Sequence, residues 1–330
     1  NGLFVAVACG ISSSSCNATG GNRVMTSPDG VTWTSRADSV DNGWNSVTYG
    51  NGLFVAVAQS GTGNRVMTSP DGITWTTRTS ATDNNWQSIT YGNGLFVAVS
   101  NTGTGNRVMT SPDGITWTTR TSATDSSWIS VTYGNGLFVA VASNAVMTSP
   151  NGITWTTRTP SGSNSWRSVT YGQGLFVAVA VDGSNRVMTS QDGINWTSRT
   201  SSNDQYAWIA VIHNNGVFVS TNGSGDAMTS GSVTTVDKIL VNLNAPPEND
   251  GVIWATSTSA ADNNWRGVTY GNGLFVAVSN NGIGNNSVMT SPDGITWTIR
   301  TTAVDNSWQS VTYGNGLFVA VALTGTGNRV

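Results

Sequence analysis

The segment Asn-Gly-Leu-Phe-Val-Ala-Val, or a close variant, begins at Asn1, Asn51, Asn93, Asn135, Gln173, Asn215, Asn272 and Asn315, at spacings of 50, 42, 42, 38, 42, 57 and 43 residues. A period of about 40–50 residues, made only of short strand-like runs and Gly-rich turns, is what the blades of a β-propeller leave in a sequence. One unit alone cannot bury its apolar faces, so the copies must cover each other. No window carries a 3.6-residue apolar stripe, which excludes a helical solenoid. Length alone would suggest about two domains, but a ring of repeats is one domain at any length. The whole of 1–330 therefore reads as a single propeller, all-β, with four-stranded antiparallel blades.

The second copy shows the four strands. Trp86-Gln-Ser-Ile-Thr-Tyr91 alternates with aromatic and β-branched residues. Asn93-Gly94 then reverses the chain, the strongest short hairpin signal. Leu95-Phe-Val-Ala-Val99 has no polar face and must be covered on both sides, as between two neighbouring blades. Arg107-Val-Met-Thr110 is the third strand and Ile115-Thr-Trp-Thr-Thr-Arg120 the fourth. Between them Ser111-Pro-Asp-Gly114 is a turn in which Pro presets φ and Gly accepts its positive values. All seven methionines fall on third strands and all eight phenylalanines on second strands, which assigns both to core packing. The fourteen tryptophans divide between fourth strands and the starts of first strands.

The turn Ser27-Pro-Asp-Gly-Val-Thr-Trp33, with copies at Ser69, Ser111, Ser149, Ser190 and Ser291, resembles the Asp-box of sialidase-type and photosystem II assembly-factor-like propellers. It is one residue shorter than the usual box, and Asn151 replaces the aspartate in one copy. The resemblance implies a turn between third and fourth strands. It implies little about activity, because such turns are structural and recur in unrelated functions.

Seven first and seven fourth strands stand against eight second and eight third strands. A seven-bladed ring is favoured, closed by pairing 308–313 with the N-terminal strands and leaving 315–330 over; eight blades would require strands from outside this segment. Because the sequence starts and stops inside a repeat, a piece of a longer chain is expected. The sixth repeat is the longest, and its turn motif is replaced by an insertion arm over 231–250 that holds the only lysine, Lys238, and the only glutamate, Glu248. Irregular insertions on regular scaffolds often carry specific contacts, which marks these two for partner binding.

Charged residues are only 9% of the chain and its net charge is −3. Without a basic cluster the counterion-release term for nucleic acid is missing, and no apolar run is long enough for a membrane helix. The two cysteines, Cys9 and Cys16, lie in the extra length of the first repeat, where a disulfide would close a small loop; such bonds persist outside the reducing cytosol. A secreted, cell-surface or virion protein is expected.

Chemistry is harder to place. The aspartates sit in turns or before first-strand tryptophans, and eleven arginines recur at fixed blade positions, so neither set isolates a glycosidase carboxylate pair. His213 stands where other repeats carry tyrosine, with no ligand set nearby. No catalytic residue, metal or cofactor is expected. The expectation is a non-enzymatic recognition or scaffold propeller in adhesion or assembly, whose partner is a protein, a glycan or neighbouring copies of itself. The alternative is a multivalent lectin using Asp41, Trp44, Asp83, Trp86, Asp125, Trp128, Asp262, Trp265, Asp305 and Trp308, since carboxylates and an aromatic platform suit a sugar ring. An Asp-box glycoside hydrolase ranks third.

Overall fold

The computed structural model describes residues 4–7, 23–28, 31–214, 216–222, 226–230, 254–261, 263–281, 286–302, 307–314 and 317–322. Over these residues the chain is an all-β propeller of four-stranded antiparallel blades. Six blades are complete, with first strands starting at Trp44, Trp86, Trp128, Trp166, Trp208 and Trp265. In the third of them Trp128–Gly134, Leu137–Ala142, Ala145–Ser149 and Thr156–Arg158 follow one another outward from the ring centre.

Local chemistry explains the hairpins. Asn135 and Gly136 both take positive φ, 48° and 76°, as a two-residue turn matched to strand twist requires. The fourth strands are shorter than the sequence suggested: the second repeat's begins at Thr118, and Ile115 is left outside the ladder, exposed. Three residues is a short edge strand, which limits edge-to-edge pairing around the rim.

The second strands justify their double apolar face. Phe138 and Ala140 join Val97 and Val99 of the preceding blade in one buried layer, while Val139 and Val141 join Trp166 and Phe176 of the next. Burying each such Val or Phe contributes about 1.5–3 kcal/mol. All seven methionines are buried, as their single position per repeat suggested.

The first strands form the innermost ring, each packed against the first strand of the next blade. Serine hydroxyls tie them together: Ser88 Oγ accepts from Val131 N and Ser130 Oγ from Val169 N, both at 3.2 Å. In five of the six complete blades the first strand ends on glycine for a steric reason; Trp208–Asn214 is the exception. A Cβ on Gly134 would lie 2.0 Å from Cγ of Tyr171 in the next blade. His213 fills the same seat over Gly172, its ring centroid 4.6 Å from Phe218, the separation that Tyr171 keeps from Phe176. Its packing role therefore matches its place in the repeat.

The closing sheet draws on both ends of the chain. Trp308–Gly314 and Leu317–Ala322 are joined to Val24–Ser27 and Thr34–Arg36, and Phe4–Val7 also pairs with Val24–Ser27. The expected pairing of chain ends is present, with two corrections. Seven regular blades give way to six plus a composite five-stranded sheet, and within the stretch expected to be left over Leu317–Ala322 completes a ladder with Trp308–Gly314.

Candidate functional site

The loops entering the first strands meet the second-to-third loops on one face, as antiparallel alternation requires. Amides hold them together: Asn84 Nδ2 donates to Asn106 O at 2.9 Å, and Asn42 Nδ2 to Asn64 O at 2.8 Å. Asp83 and Asp125 brace the preceding blade, accepting from the backbone N–H of Gly63 and Gly105 at 2.7 Å each. Asp41 pairs with buried Arg23 at 2.8 Å. Trp44, Trp86, Trp128, Trp265 and Trp308 are at most 1% exposed, and Trp86 and Trp128 donate Nε1–H to Thr82 O and Thr124 O at 3.1 Å. None offers a face to a sugar, so the expectation of tryptophan platforms is corrected: stacking between blades takes the whole ring. Asp262, Asp305, Cys9, Cys16 and the 231–250 arm with Lys238 and Glu248 lie outside the described residues.

One carboxylate here escaped the sequence reading. Asp38 stands where the next two repeats carry Ser80 and Ser122. Burial and the neighbouring Asp41 charge push its pKa up to about 6, against the opposing pull of Arg23 and a hydrogen bond from Trp44. The available signal was an acid replacing a serine at a repeated position.

The turn motifs are braced from within. Ser190 Oγ donates to Asp192 Oδ1 at 2.9 Å, and the same oxygen accepts from Ile194 N and Asn195 N at 2.8 Å. Burial works against ionisation of Asp192, but these bonds and one from Asn195 Nδ2 outweigh it and set its pKa at about 2, below the ordinary 3.8. A folded-state pKa below the unfolded one gives stability that is complete above 3.8 and lost as the pH falls toward about 2. Asn151 makes the same backbone bonds at 2.9 and 3.0 Å, so an amide keeps the turn. Asp192→Asn is thus expected to fold and to unfold less steeply with acid across that window, by circular dichroism; an unchanged acid profile would refute the assignment.

The rim presents a different surface, seen at two adjacent blade junctions. Between neighbouring blades runs a groove of about 520 Å³ lined by Thr119, Arg120, Thr121, Ser122 and Ala123 on one side and Ile153, Thr154 and Trp155 on the other. Its neighbour, about 450 Å³, is lined by Thr157, Arg158, Thr159 and Pro160 against Ile194, Asn195 and Trp196. In each, Arg Nε donates to a threonine hydroxyl one strand inward at 2.9 Å, Arg120 to Thr110 and Arg158 to Thr148, which orients the guanidinium. The isoleucines are unusually exposed for their type, with Ile73, Ile115, Ile153, Ile194 and Ile295 at 40–61%. Sequence reasoning placed these isoleucines in a strand and the arginines in blade construction, and so passed over the groove.

Fold and grooves together define a β-propeller with two like grooves between neighbouring blades at its rim. No protein-family model and no curated protein matches the sequence. Solved propellers do match in structure. Virginiamycin B lyase from Staphylococcus aureus superposes with a TM-score of 0.69 over 86% of this chain and 96% of that one, at 11% identity. YCF48 from Cyanidioschyzon merolae matches with a TM-score of 0.59 over 84% and 95%, at 16% identity; it has also been solved bound to a D1 peptide. The computationally designed Ika8 protein matches with a TM-score of 0.60 over 98% and 97%, at 10% identity. These identities establish the shared fold alone. They also overturn one expectation. A lyase is built on this architecture, so the conclusion that the chain is no enzyme does not stand.

Proposed function

We propose that this chain is a recognition propeller of adhesion or assembly, which engages extended protein segments through the repeated rim grooves. The observation that carries the reading is the groove itself: a guanidinium fixed at Nε, with an exposed isoleucine and a tryptophan edge beside it. A fixed guanidinium fork suits a carboxylate, and the isoleucine suits an apolar side chain. The occupant is therefore an extended segment with acidic and apolar residues, and several like grooves on one ring would give avidity without any single strong site. The D1 peptide held by YCF48 supports peptide capture as a use of this fold. We also read the turn motif as a shortened Asp-box and the composite sheet as a seventh blade.

Screening the purified domain against a displayed peptide library and a glycan array tests this. Acidic–apolar peptides should bind at more than one per chain and be lost with Ile115→Asp plus Ile153→Asp. Binding of glycans alone, or one peptide per chain indifferent to those substitutions, would remove the proposal. An extracellular location is part of the reading and is supported by the spacing of Cys9 and Cys16. A thiol titration finding two free thiols on the exported protein would sink it.

A further inference from the structure

Arg23 and Asp38 stand at the seam of the ring. Arg23 directly precedes Val24–Ser27, the strand of the closing sheet joined to Leu317–Ala322. Asp38 and Asp41 lie between Thr34–Arg36 of that sheet and Trp44–Gly50 of the first complete blade. Arg23 is buried and ion-paired with Asp41 at 2.8 Å, and its Nη1 donates to Asn42 O. It therefore ties the closing sheet to the loop that enters the next blade.

The regular repeats show what belongs at the position of Asp38. Ser80 Oγ donates to Asp83 and Ser122 Oγ to Asp125, each at 3.4 Å, and Ser201 Oγ donates to Asp204 Oδ1. Ser80 Oγ also accepts from the backbone N–H of Arg65, the counterpart of Arg23, at 3.4 Å. That position therefore touches both the third-strand arginine and the aspartate three residues on. At the seam these are Arg23 and Asp41, and Asp38 sets a second carboxyl beside them. A serine always has a proton to donate; an aspartate has one only when neutral. Asp38 Oδ2 is buried and makes no hydrogen bond among the described residues. The charges acting on Asp38 are Asp41 and Arg23, and the neutral Trp44 N–H that reaches it also donates to Val40 O at 3.3 Å.

We propose that Asp38 is a pH-sensitive latch on ring closure. As the neutral acid it donates to Asp41, as serine does in the regular blades, and Arg23 keeps a single carboxylate partner. As the carboxylate it sets two negative charges against one buried guanidinium. Like charges so close repel, and the closing sheet loosens from the first complete blade. The sign follows from burial and the Asp41 charge: a folded-state pKa raised from 3.8 to about 6 gives stability that is complete below 3.8 and lost as the pH rises through about 6. The turn at Asp192 loses stability on the other side of 3.8, as the pH falls, so the two effects separate. The inference is independent of the rim grooves.

Thermal unfolding of the unchanged chain, Asp38→Ser and Asp38→Asn from about pH 4 to about pH 7 tests it. Relative to Asp38→Ser, the unchanged chain is expected to lose on the order of 3 °C of Tm over that range. Asp38→Asn, whose amide keeps a donor at every pH, should follow the serine variant. Hydrogen exchange locates the effect: above about pH 6 the backbone amides of Val24–Ser27 should be less protected in the unchanged chain than in the serine variant at the same pH. A Tm difference that does not change with pH, or one that leaves Val24–Ser27 as protected as in the serine variant, overturns the latch. Should a variant fail to fold, the indole N–H resonance of Trp44 in the unchanged chain decides: a shift with a midpoint of about 6 supports the proposal, and no movement across the range refutes it.

Discussion

Trp128→Ala is expected to destabilise the protein by about 3–5 kcal/mol, read as a fall in denaturant midpoint at unchanged slope. The indole is fully buried and closes a layer with Val97, Val99 and Val108 of the preceding blade and with Phe138 and Met147 of its own. Its removal leaves a cavity between two sheets whose separation is fixed by the neighbouring layers, so little collapse can offset the loss. Trp128→Phe keeps most of the volume but orphans Thr124 O, the acceptor of the indole N–H at 3.1 Å. It should cost less, about 1 kcal/mol, since Thr124 is exposed and its carbonyl can turn to water. The comparison also settles the role of the residue: a ligand platform would lose binding with stability nearly intact, and a stability loss below about 1 kcal/mol would contradict its assignment to the core.

Much of this was legible from the period. A residue that appears once per repeat must sit in one environment throughout, so Met67, Met109 and Met147 could be placed in the core before any coordinates. The hairpin at Asn93-Gly94 and the turn at Asp113 followed from φ preferences alone. What the period hides is direction. Trp86 and Ile115 recur with equal regularity, yet Trp86 is fully buried and Ile115 is 44% exposed. Periodicity shows that positions are equivalent, not whether they face a neighbouring blade or solvent. The aspartate–tryptophan pairs therefore looked like a sugar site, while the rim grooves passed as construction. Departures from the period carried the rest. Asp38, which stands for serine, and Arg167, which with Arg266 breaks a row of uncharged residues, each mark a departing environment whose meaning lies in its neighbours rather than in the period.

Ring closure supplies the second large effect. Phe138→Ala is expected to cost about 3–5 kcal/mol, whereas Phe318→Ala should cost less than about 1 kcal/mol, although both rings are fully buried. The difference lies in the alternatives open to each strand. Phe138 faces Ser149 in its blade, and no other segment competes for that edge. In the closing sheet Phe4 and Phe318 are both set opposite Ser27, and each begins an identical Phe-Val-Ala-Val run. One strand edge can complete a ladder with only one partner at a time. Weakening the Phe318 copy therefore shifts occupancy to the Phe4 copy, and the loss is capped by the free-energy gap between the two. Deleting the Phe4–Val7 strand as a whole should remove the reserve and restore the full cost to Phe318→Ala. Such strong non-additivity between two segments so far apart in the chain is expected only if they compete for one slot. If Phe318→Ala alone were as damaging as Phe138→Ala, the two strands would not be interchangeable, and the closing sheet would have a single fixed register.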